Sequence, residues 1–241
     1  MSCSNASKAV SAPLWVRHAW PISAAVLAGM AVLTVVLEVL GADLYVSGLV
    51  FRWDEGFVWR DHPLVLLCED YGELLIAAAA LLALIVGVLG FWKASLRPWR
   101  RLCVYVVLCA LIGPVLVVNS ALKSNWGRPR PESVEEFGGA LEYRAVFEPG
   151  PAELGSSFSS GHAAAGFFWT LLYFLLREAR PRLATLGMGV GLALGALLGT
   201  CRVLQGRHFL MDILWSAVLM FVVNLLLYRL MMPLGARAER P

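Results

Sequence analysis

Three short groups of ionisable residues interrupt an otherwise apolar chain. In chain order they are Lys123-x6-Arg130-Pro131, then Ser159-Ser160-Gly161-His162, then Arg202-x5-His208-x3-Asp212. Ionisable side chains near membrane-spanning segments are tolerated mainly where they line a polar site and find partners there. Cations of these types suit the oxygens of a phosphate, and histidines beside a carboxylate suit acid–base or nucleophilic work. The spacing therefore predicts one phosphate-handling site assembled from three distant segments.

The third group holds the best candidates for covalent chemistry. If a helix begins near His208, Asp212 lies one turn further along on the same face. A carboxylate there can keep a proton on one ring nitrogen and leave the other nitrogen free to attack. A purely structural His–Asp hydrogen bond is the alternative for this pair, and an interfacial anchor is the alternative for Arg202.

The second group has the composition of a helix start that binds an anion. Serine at this position caps free backbone N–H groups, and Gly161 lets an anion approach the backbone closely. A helix N-terminus also favours negative charge. His162 then lies beside the anion, where a proton donor is useful. A plain Ser/Gly cap with an interfacial histidine is the alternative for this group.

The first group supplies cations. Lys123 ends an apolar segment, and Arg130 follows a Gly-Arg-Pro turn. Arginine offers phosphate oxygens a planar fork and lysine offers a point charge, while snorkelling at a membrane surface is the alternative for both. Arg128, within the same turn, is predicted to be solvated. Glu38 and Glu73 lie near the ends of two other apolar segments, and the sequence indicates no role for them.

Composition places these groups in a membrane protein. The 241 residues are 59% hydrophobic and 15% charged, with a mean hydropathy of +0.70, whereas a soluble domain carries about 25% charge. Crossing a bilayer takes about 20 apolar residues, and six stretches come close to this length: 20–41, 72–92, 102–122, 161–176, 183–201 and 209–232. We therefore predict an all-α fold, one domain over residues 1–241, built as a six-transmembrane helix bundle. One or two interfacial helices are expected in residues 42–71, and a kink is expected at Pro114 in the third span.

Other classes of function find no support in the composition. The net charge of +3 is small and no basic run carries interleaved aromatics, which argues against nucleic-acid binding. The five cysteines show no CxxC spacing, and no metal-binding motif is present. Neither a disulfide scaffold nor a metal or cofactor is therefore predicted.

Lysine and arginine counts in the loops predict the orientation in the membrane. Twelve of these residues lie on the side that holds both termini, and eight lie on the side that holds all three ionisable groups. We therefore expect both termini in the cytoplasm and the site at the outer face. Four of the eight belong to the ionisable groups themselves: Lys123, Arg130, Arg202 and Arg207.

Taken together, the three groups resemble the signature motifs of the type 2 phosphatidic acid phosphatase (PAP2) superfamily, which are K-x6-RP, PSGH and SR-x5-H-x3-D. The resemblance covers about residues 100–230, with Ser159 in place of the family's proline and Cys201 in place of its serine. It implies a metal-independent membrane phosphatase that passes through a phosphohistidine. His208 is then the nucleophile, oriented by Asp212, and His162 protonates the leaving oxygen before it activates water.

The resemblance also implies which residues hold the phosphate, and it leaves the substrate open. The implied phosphate ligands are Lys123, Arg130, Ser160, Gly161 and Arg202. The segment 125–131, followed by residues 136–139, is similar to bacterial members that act on lipid A at the periplasmic face of the inner membrane. Undecaprenyl diphosphate and phosphatidylglycerol phosphate are rival substrates. A lipid-to-lipid phosphotransferase, a vanadium-dependent haloperoxidase and a lipid phosphate binder or transporter are rival functions, and the oligomeric state stays open.

Overall fold

The computed structural model describes residues 18–232, and most of them are helical. The α-helices are α1 (Ala19–Val39), α2 (Ala42–Gly48), α3 (Pro63–Tyr71), α4 (Leu74–Leu89), α5 (Arg100–Ala110), α6 (Gly161–Phe167), α7 (Leu171–Leu176), α8 (Pro181–Leu204) and α9 (Leu210–Met231). Two short strands are β1 (Phe51–Arg52) and β2 (Gly56–Phe57). Four of the cations used to predict the orientation lie outside the described residues: Lys8, Arg17, Arg237 and Arg240.

Five helical segments are long and apolar enough to cross a membrane: Ala19–Val39, Pro63–Leu89, Ala94–Lys123, Pro181–Leu204 and Leu210–Met231. The prediction of a helical integral membrane protein is thereby confirmed. The fourth predicted span in chain order, Gly161–Leu176, is apolar but shorter, and a 3₁₀ turn at Phe168–Thr170 interrupts it. At about 1.5 Å per residue it reaches about 24 Å, which is less than the about 30 Å of a hydrocarbon core. The count of six spans therefore stays a prediction.

The segment between the first two spans differs in part from its prediction. Helix α2 is a short helix in the segment where interfacial helices were expected, but a β-hairpin follows it, with Phe51 opposite Phe57 and Arg52 opposite Gly56. Gly56 has a φ of +75°, which a tight turn of this kind needs. The rings of Phe51 and Phe57 pack edge to face with centroids 5.3 Å apart. The fold is thus helical with one small hairpin rather than entirely α.

The second span starts earlier than predicted, at Pro63 instead of residue 72. Pro63 occupies the first position of α3, and Nδ1 of His62 accepts a hydrogen bond from the Leu64 N–H at 3.3 Å, so the start is well capped. The sequence had assigned residues 63–71 to the interfacial segment 42–71 instead. Glu69 is nevertheless accommodated in the helix because Arg202 of α8 provides a salt-bridge partner.

Pro114 changes the helix type of the third span. The chain runs as a 3₁₀ turn over Ala94–Trp99, as α5, and then as a π-helix over Leu111–Lys123. Proline has no N–H to donate, so the regular α-helical ladder is interrupted near it, and a wider turn is one way for a helix to absorb the interruption. Lys123 is the last residue of this wide segment.

Glycines allow α6 to lie directly against α8. A Cβ on Gly195 would come within 2.1 Å of the Phe167 ring, and a Cβ on Gly166 would come within 2.5 Å of the Gly195 backbone. A Cβ on Gly191 would likewise come within 2.4 Å of the backbone nitrogen of Thr170. Small residues permit this close approach of helices in membranes. As a result, the start of α6 and the end of α8 lie near each other.

Candidate active site

The structure places the three ionisable groups at helix ends. Lys123 ends the π-helical segment, Ser160 precedes α6, and Arg202 lies in the last turn of α8. His208 lies in the connection from α8 to α9, and Asp212 is in the first turn of α9. The cations Lys123 and Arg202 are both close enough to His208 to influence its protonation. Residues of the first and third groups therefore lie near each other around His208.

His208 is buried, and its ring is held by a backbone carbonyl. Nδ1 lies 2.7 Å from the carbonyl oxygen of Ser157 and 3.6 Å from Oδ2 of Asp212. A carbonyl oxygen only accepts, so Nδ1 carries the hydrogen and Nε2 carries the lone pair. Burial lowers the pKa of His208; the Asp212 carboxylate opposes this, and the Lys123 and Arg202 cations reinforce it. The arrangement presents a neutral imidazole with Nε2 available as a nucleophile.

Asp212 is the acceptor of a buried hydrogen-bond network. Its carboxylate accepts from Nη1 of Arg128 at 2.6 Å, from Oγ of Ser157 at 2.5 Å and from the Phe209 N–H at 2.8 Å. The predicted pairing of Asp212 with His208 is present only at the longer distance of 3.6 Å. Asp212 thus acts on the ring electrostatically and through Ser157, which contacts both side chains.

Arg128 is fully buried, so the prediction that it is solvated was wrong. Its Nη2 donates to Oδ2 of Asp43 at 2.6 Å, and its Nε donates to the Arg144 carbonyl at 2.9 Å, in addition to the bond with Asp212. Burial opposes the charge, but the two carboxylates outweigh it and raise the pKa of Arg128 above its usual value. The Gly-Arg-Pro context suggested an exposed turn because its acidic partners are distant in sequence.

Asp43 is a member of this network that sequence reasoning missed. It lies in α2 and is buried, and its Oδ1 accepts from the N–H of Met211 at 2.8 Å. It therefore caps the first turn of α9 from another helix. The available signal was a single carboxylate inside the apolar run of α2, which a membrane protein tolerates when a partner is present.

Arg202 is held at the edge of the site by two side chains. Its Nη1 lies 2.7 Å from Oε1 of Glu69 and donates to Oε1 of Gln205 at 2.7 Å. Nε2 of Gln205 donates in turn to Oε2 of Glu69 at 2.7 Å. Within residues 18–232, the buried Nε of Arg202 and Oγ of Ser159 have no hydrogen-bond partner. These two atoms are available to a ligand.

Arg130 lies among other cations. Its Nη2 donates to Oγ of Ser156 at 3.2 Å, and its Nη1 is 4.0 Å from Oε1 of Glu132. Burial, together with the nearby cations Arg207 and Arg202, lowers the pKa of Arg130. This crowding of like charges favours the entry of an anion.

The start of α6 has the cap that its sequence predicts. Oγ of Ser160 accepts from the Ala163 N–H at 3.4 Å. A Cβ on Gly161 would lie 2.9 Å from Oδ1 of Asn119, so only glycine fits there without a shift. Asn119 of the third span is therefore the side chain that packs against Gly161, and the approach of an anion to the Gly161 backbone stays a prediction.

His162 contacts the second span. Its Nε2 lies 2.9 Å from the carbonyl oxygen of Glu69, and its Nδ1 lies 3.3 Å from Oε1 of Glu73. Glu73, to which the sequence assigned no role, is therefore a partner of His162. Glu38 also has a partner, since it accepts from the Val146 N–H at 2.5 Å. Through Glu69, the second span joins His162 to Arg202.

Comparison with known proteins finds similar lipid A 4'-phosphatases. A lipid A 4'-phosphatase from Rhizobium etli is 32% identical over 197 residues, which cover 72% of each chain. Lipid A 4'-phosphatases from Francisella tularensis subsp. novicida and Rhizobium leguminosarum are 32% identical over 134 residues and 38% identical over 120 residues. These two alignments cover 55% and 48% of this chain, and the chain spans only 60% and 50% of the length of those two relatives.

A solved structure has the same fold. The transmembrane PAP2 type phosphatidylglycerolphosphate phosphatase from Bacillus subtilis superposes with a TM-score of 0.51 over 85% of this chain and 93% of its own, at 20% identity. Residues 100–235, which include all three ionisable groups, match the PAP2 superfamily. The chain therefore belongs to the PAP2 superfamily.

Proposed function

We propose that this protein is a membrane lipid phosphatase that works through a phosphohistidine on His208. The observation that carries the proposal is the hydrogen bond between Nδ1 of His208 and the Ser157 carbonyl. This bond leaves Nε2 unprotonated, and burial favours the neutral ring, so the nucleophile needs no further activation. Lys123 and Arg202 lie close enough to His208 to attract a phosphate toward it.

In the proposed first step, Nε2 of His208 attacks phosphorus and the bond from phosphorus to the lipid oxygen breaks. His162 gives a proton to the leaving oxygen and then takes a proton from the water that attacks the phosphohistidine. Phosphoryl transfer spreads charge over three oxygens, so positioned cations and polar groups supply much of the stabilisation. Those groups are the phosphate ligands implied by the family: Lys123, Arg130, Ser160, Gly161 and Arg202. Asp212 stabilises the positive charge that develops on the ring of His208.

The proposed substrate is a phosphate group of lipid A. Three relatives are lipid A 4'-phosphatases, and one of them aligns over most of both chains. An integral membrane protein whose motif residues lie at helix ends suits a substrate that is itself anchored in the bilayer. We propose the bacterial inner membrane as its location, with both termini in the cytoplasm and the site at the periplasmic face. Phosphatidylglycerol phosphate is the second candidate, since the solved neighbour is a phosphatidylglycerolphosphate phosphatase.

The test is phosphate release by purified protein from a panel of lipids in the presence of EDTA. The panel contains lipid A, undecaprenyl diphosphate, phosphatidylglycerol phosphate and phosphatidic acid. We expect release to be fastest with lipid A, and we expect His208→Ala and His162→Ala to abolish it. His62→Ala serves as the matched histidine control, because His62 caps α3 instead of contacting the site.

The outcomes separate the rival functions. Full activity in His208→Ala would exclude the phosphohistidine mechanism. A wild-type protein that binds these lipids without releasing phosphate would be a binder or transporter. A labelled donor lipid with an unlabelled acceptor distinguishes hydrolysis from transfer to another lipid. Bromide oxidation that depends on added vanadate would instead indicate a haloperoxidase.

A further inference from the structure

Three arginines converge on one carboxylate beside the proposed phosphate ligands. Arg60 and Arg207 both donate hydrogen bonds to Glu132 through their terminal guanidinium nitrogens. Nη1 of Arg130 lies 4.0 Å from the same carboxylate. We name these four residues the outer cluster. Arg60 comes from the connection between β2 and α3, and Arg207 directly precedes His208, so separate parts of the chain build the cluster.

The outer cluster has an excess of positive charge. Three guanidinium groups face one carboxylate, which leaves a formal charge of +2. Glu69 is a further carboxylate that interacts with Arg130 and Arg207, but its oxygens are already engaged by Arg202 and Gln205. An uncompensated positive charge of this kind attracts an oxyanion, and guanidinium groups bind one with paired hydrogen bonds.

The cluster is both accessible and anchored. The side chains of Arg60 and Arg207 are 41% and 34% exposed, whereas the side chain of Arg128 is fully buried. The Glu132 N–H donates to the Gly206 carbonyl at 3.0 Å, and Nη2 of Arg60 donates to the Gln205 carbonyl at 3.4 Å. These bonds tie the cluster to the turn that leads into His208, so its position relative to the nucleophile is fixed.

Arg130 connects the outer cluster to the reaction. It is one of the proposed phosphate ligands, and it is also the arginine of the cluster nearest in chain order to Glu132. A phosphate on Arg130 would therefore lie next to the two other cations that share Glu132, Arg60 and Arg207.

We infer that the outer cluster binds a second anionic group, a further phosphate or a carboxylate, on the head group of the same lipid. This inference rests on the proposed phosphatase activity and narrows its substrate class to lipids with two or more anionic groups. Arg60 and Arg207 then act on binding and not on the chemical step. Their contribution is to KM, because the second anion is held equally well in the ground state and the transition state.

The experiment compares two lipids with identical acyl chains. Phosphatidylglycerol phosphate carries a terminal phosphate and a phosphodiester, and phosphatidic acid carries one phosphate only. We expect Arg60→Gln to raise KM for phosphatidylglycerol phosphate about tenfold, because one charge-assisted hydrogen bond is lost. KM for phosphatidic acid should change less than about twofold. Arg207→Gln should behave in the same way, and kcat should stay unchanged. Arg52→Gln is the control, because it removes one exposed arginine that lies, like Arg60, between α2 and α3 but is not part of the cluster.

Glu132→Gln tests the charge argument in the opposite direction. Removing the carboxylate raises the formal charge of the cluster from +2 to +3, so KM for phosphatidylglycerol phosphate should fall while KM for phosphatidic acid changes little. The inference is overturned if Arg60→Gln and Arg207→Gln affect both lipids equally or affect neither. If the wild-type protein releases phosphate from no lipid at all, the proposed function fails instead.

Discussion

Nη1 of Arg128 lies 2.6 Å from Oδ1 of Asp212, and both side chains are fully buried. The same guanidinium holds Asp43 at 2.6 Å with its other terminal nitrogen. One cation thus joins helix α2 to the first turn of α9, which carries the carboxylate nearest to His208. A buried ion pair of this kind is not a reliable source of net stability, but removing one partner leaves a buried charge uncompensated.

Replacing Arg128 by methionine should destabilise the protein strongly. Two buried carboxylates would lose their cation, at a cost of about 3–5 kcal/mol, so the unfolding temperature in detergent should fall by about 10 °C or more. The exposed Arg52, replaced by methionine, should change it by far less. The double variant Arg128→Met/Asp43→Asn should recover part of the loss, because one of the two stranded charges is gone. An unfolding temperature equal to that of the wild type would show that the network contributes little.

Asp212→Asn should reduce kcat without changing the tautomer of His208. The Ser157 carbonyl holds the hydrogen on Nδ1 whether or not residue 212 is charged. The loss should therefore reflect only weaker stabilisation of the charged ring, about 10² in kcat, and not the about 10⁴ seen where the tautomer is also lost. Ser157→Ala keeps the carbonyl and should cost about tenfold or less. Single-turnover rates measure both effects, and a loss for Asp212→Asn of about 10⁴ would contradict the assigned role of the carbonyl.

The pH dependence of kcat/KM should extend further to the acid side than an ordinary histidine allows. The nucleophile must be neutral, so activity is lost when pH falls through the pKa of His208. Burial, with Lys123 and Arg202, lowers that pKa, and the acid limb should therefore have its midpoint below about 6.5, the usual value. The same shift makes the folded state disfavour protonation, so its contribution to stability is present above about 6.5 and falls as the pH drops below it. A midpoint at or above the usual value would contradict this.

Gly195→Ala should destabilise the contact between α6 and α8. The added Cβ would lie 2.1 Å from the Phe167 ring, which is buried and cannot move without displacing its neighbours. Overpacking of this kind costs about 1–3 kcal/mol. Gly189→Ala is the matched control in the same helix, because a Cβ at that position meets nothing within 4 Å. The two variants are compared by thermal unfolding, and equal stability would show that close packing at Gly195 is not needed.

The segment between the first two spans shows why local patterns predicted the fold only in part. Runs of about 20 apolar residues can be recognised directly in the sequence. Five of the six predicted runs correspond to helices of membrane-spanning length. The start of the second span was missed because residues 63–71 were assigned to the interfacial segment, and the salt bridge that Glu69 makes there, to Arg202, joins residues far apart in the chain. The hairpin at Phe51 and Phe57 was missed because its aromatic packing with Phe137 joins residues far apart in the chain.

Residue types and spacing alone were enough to select the three groups, to predict that they share one site and to identify the PAP2 resemblance. Those predictions depend on the charge and hydrogen-bonding capacity of each residue type, which do not change with its position in the fold. Only the tertiary structure decided that the Ser157 carbonyl and not Asp212 is the nearest partner of His208, that Arg128 is buried between Asp43 and Asp212, and that Arg60 and Arg207 meet on Glu132. Each of these contacts joins segments that are distant in sequence, and burial then determines which charges are neutralised and which remain available to a ligand.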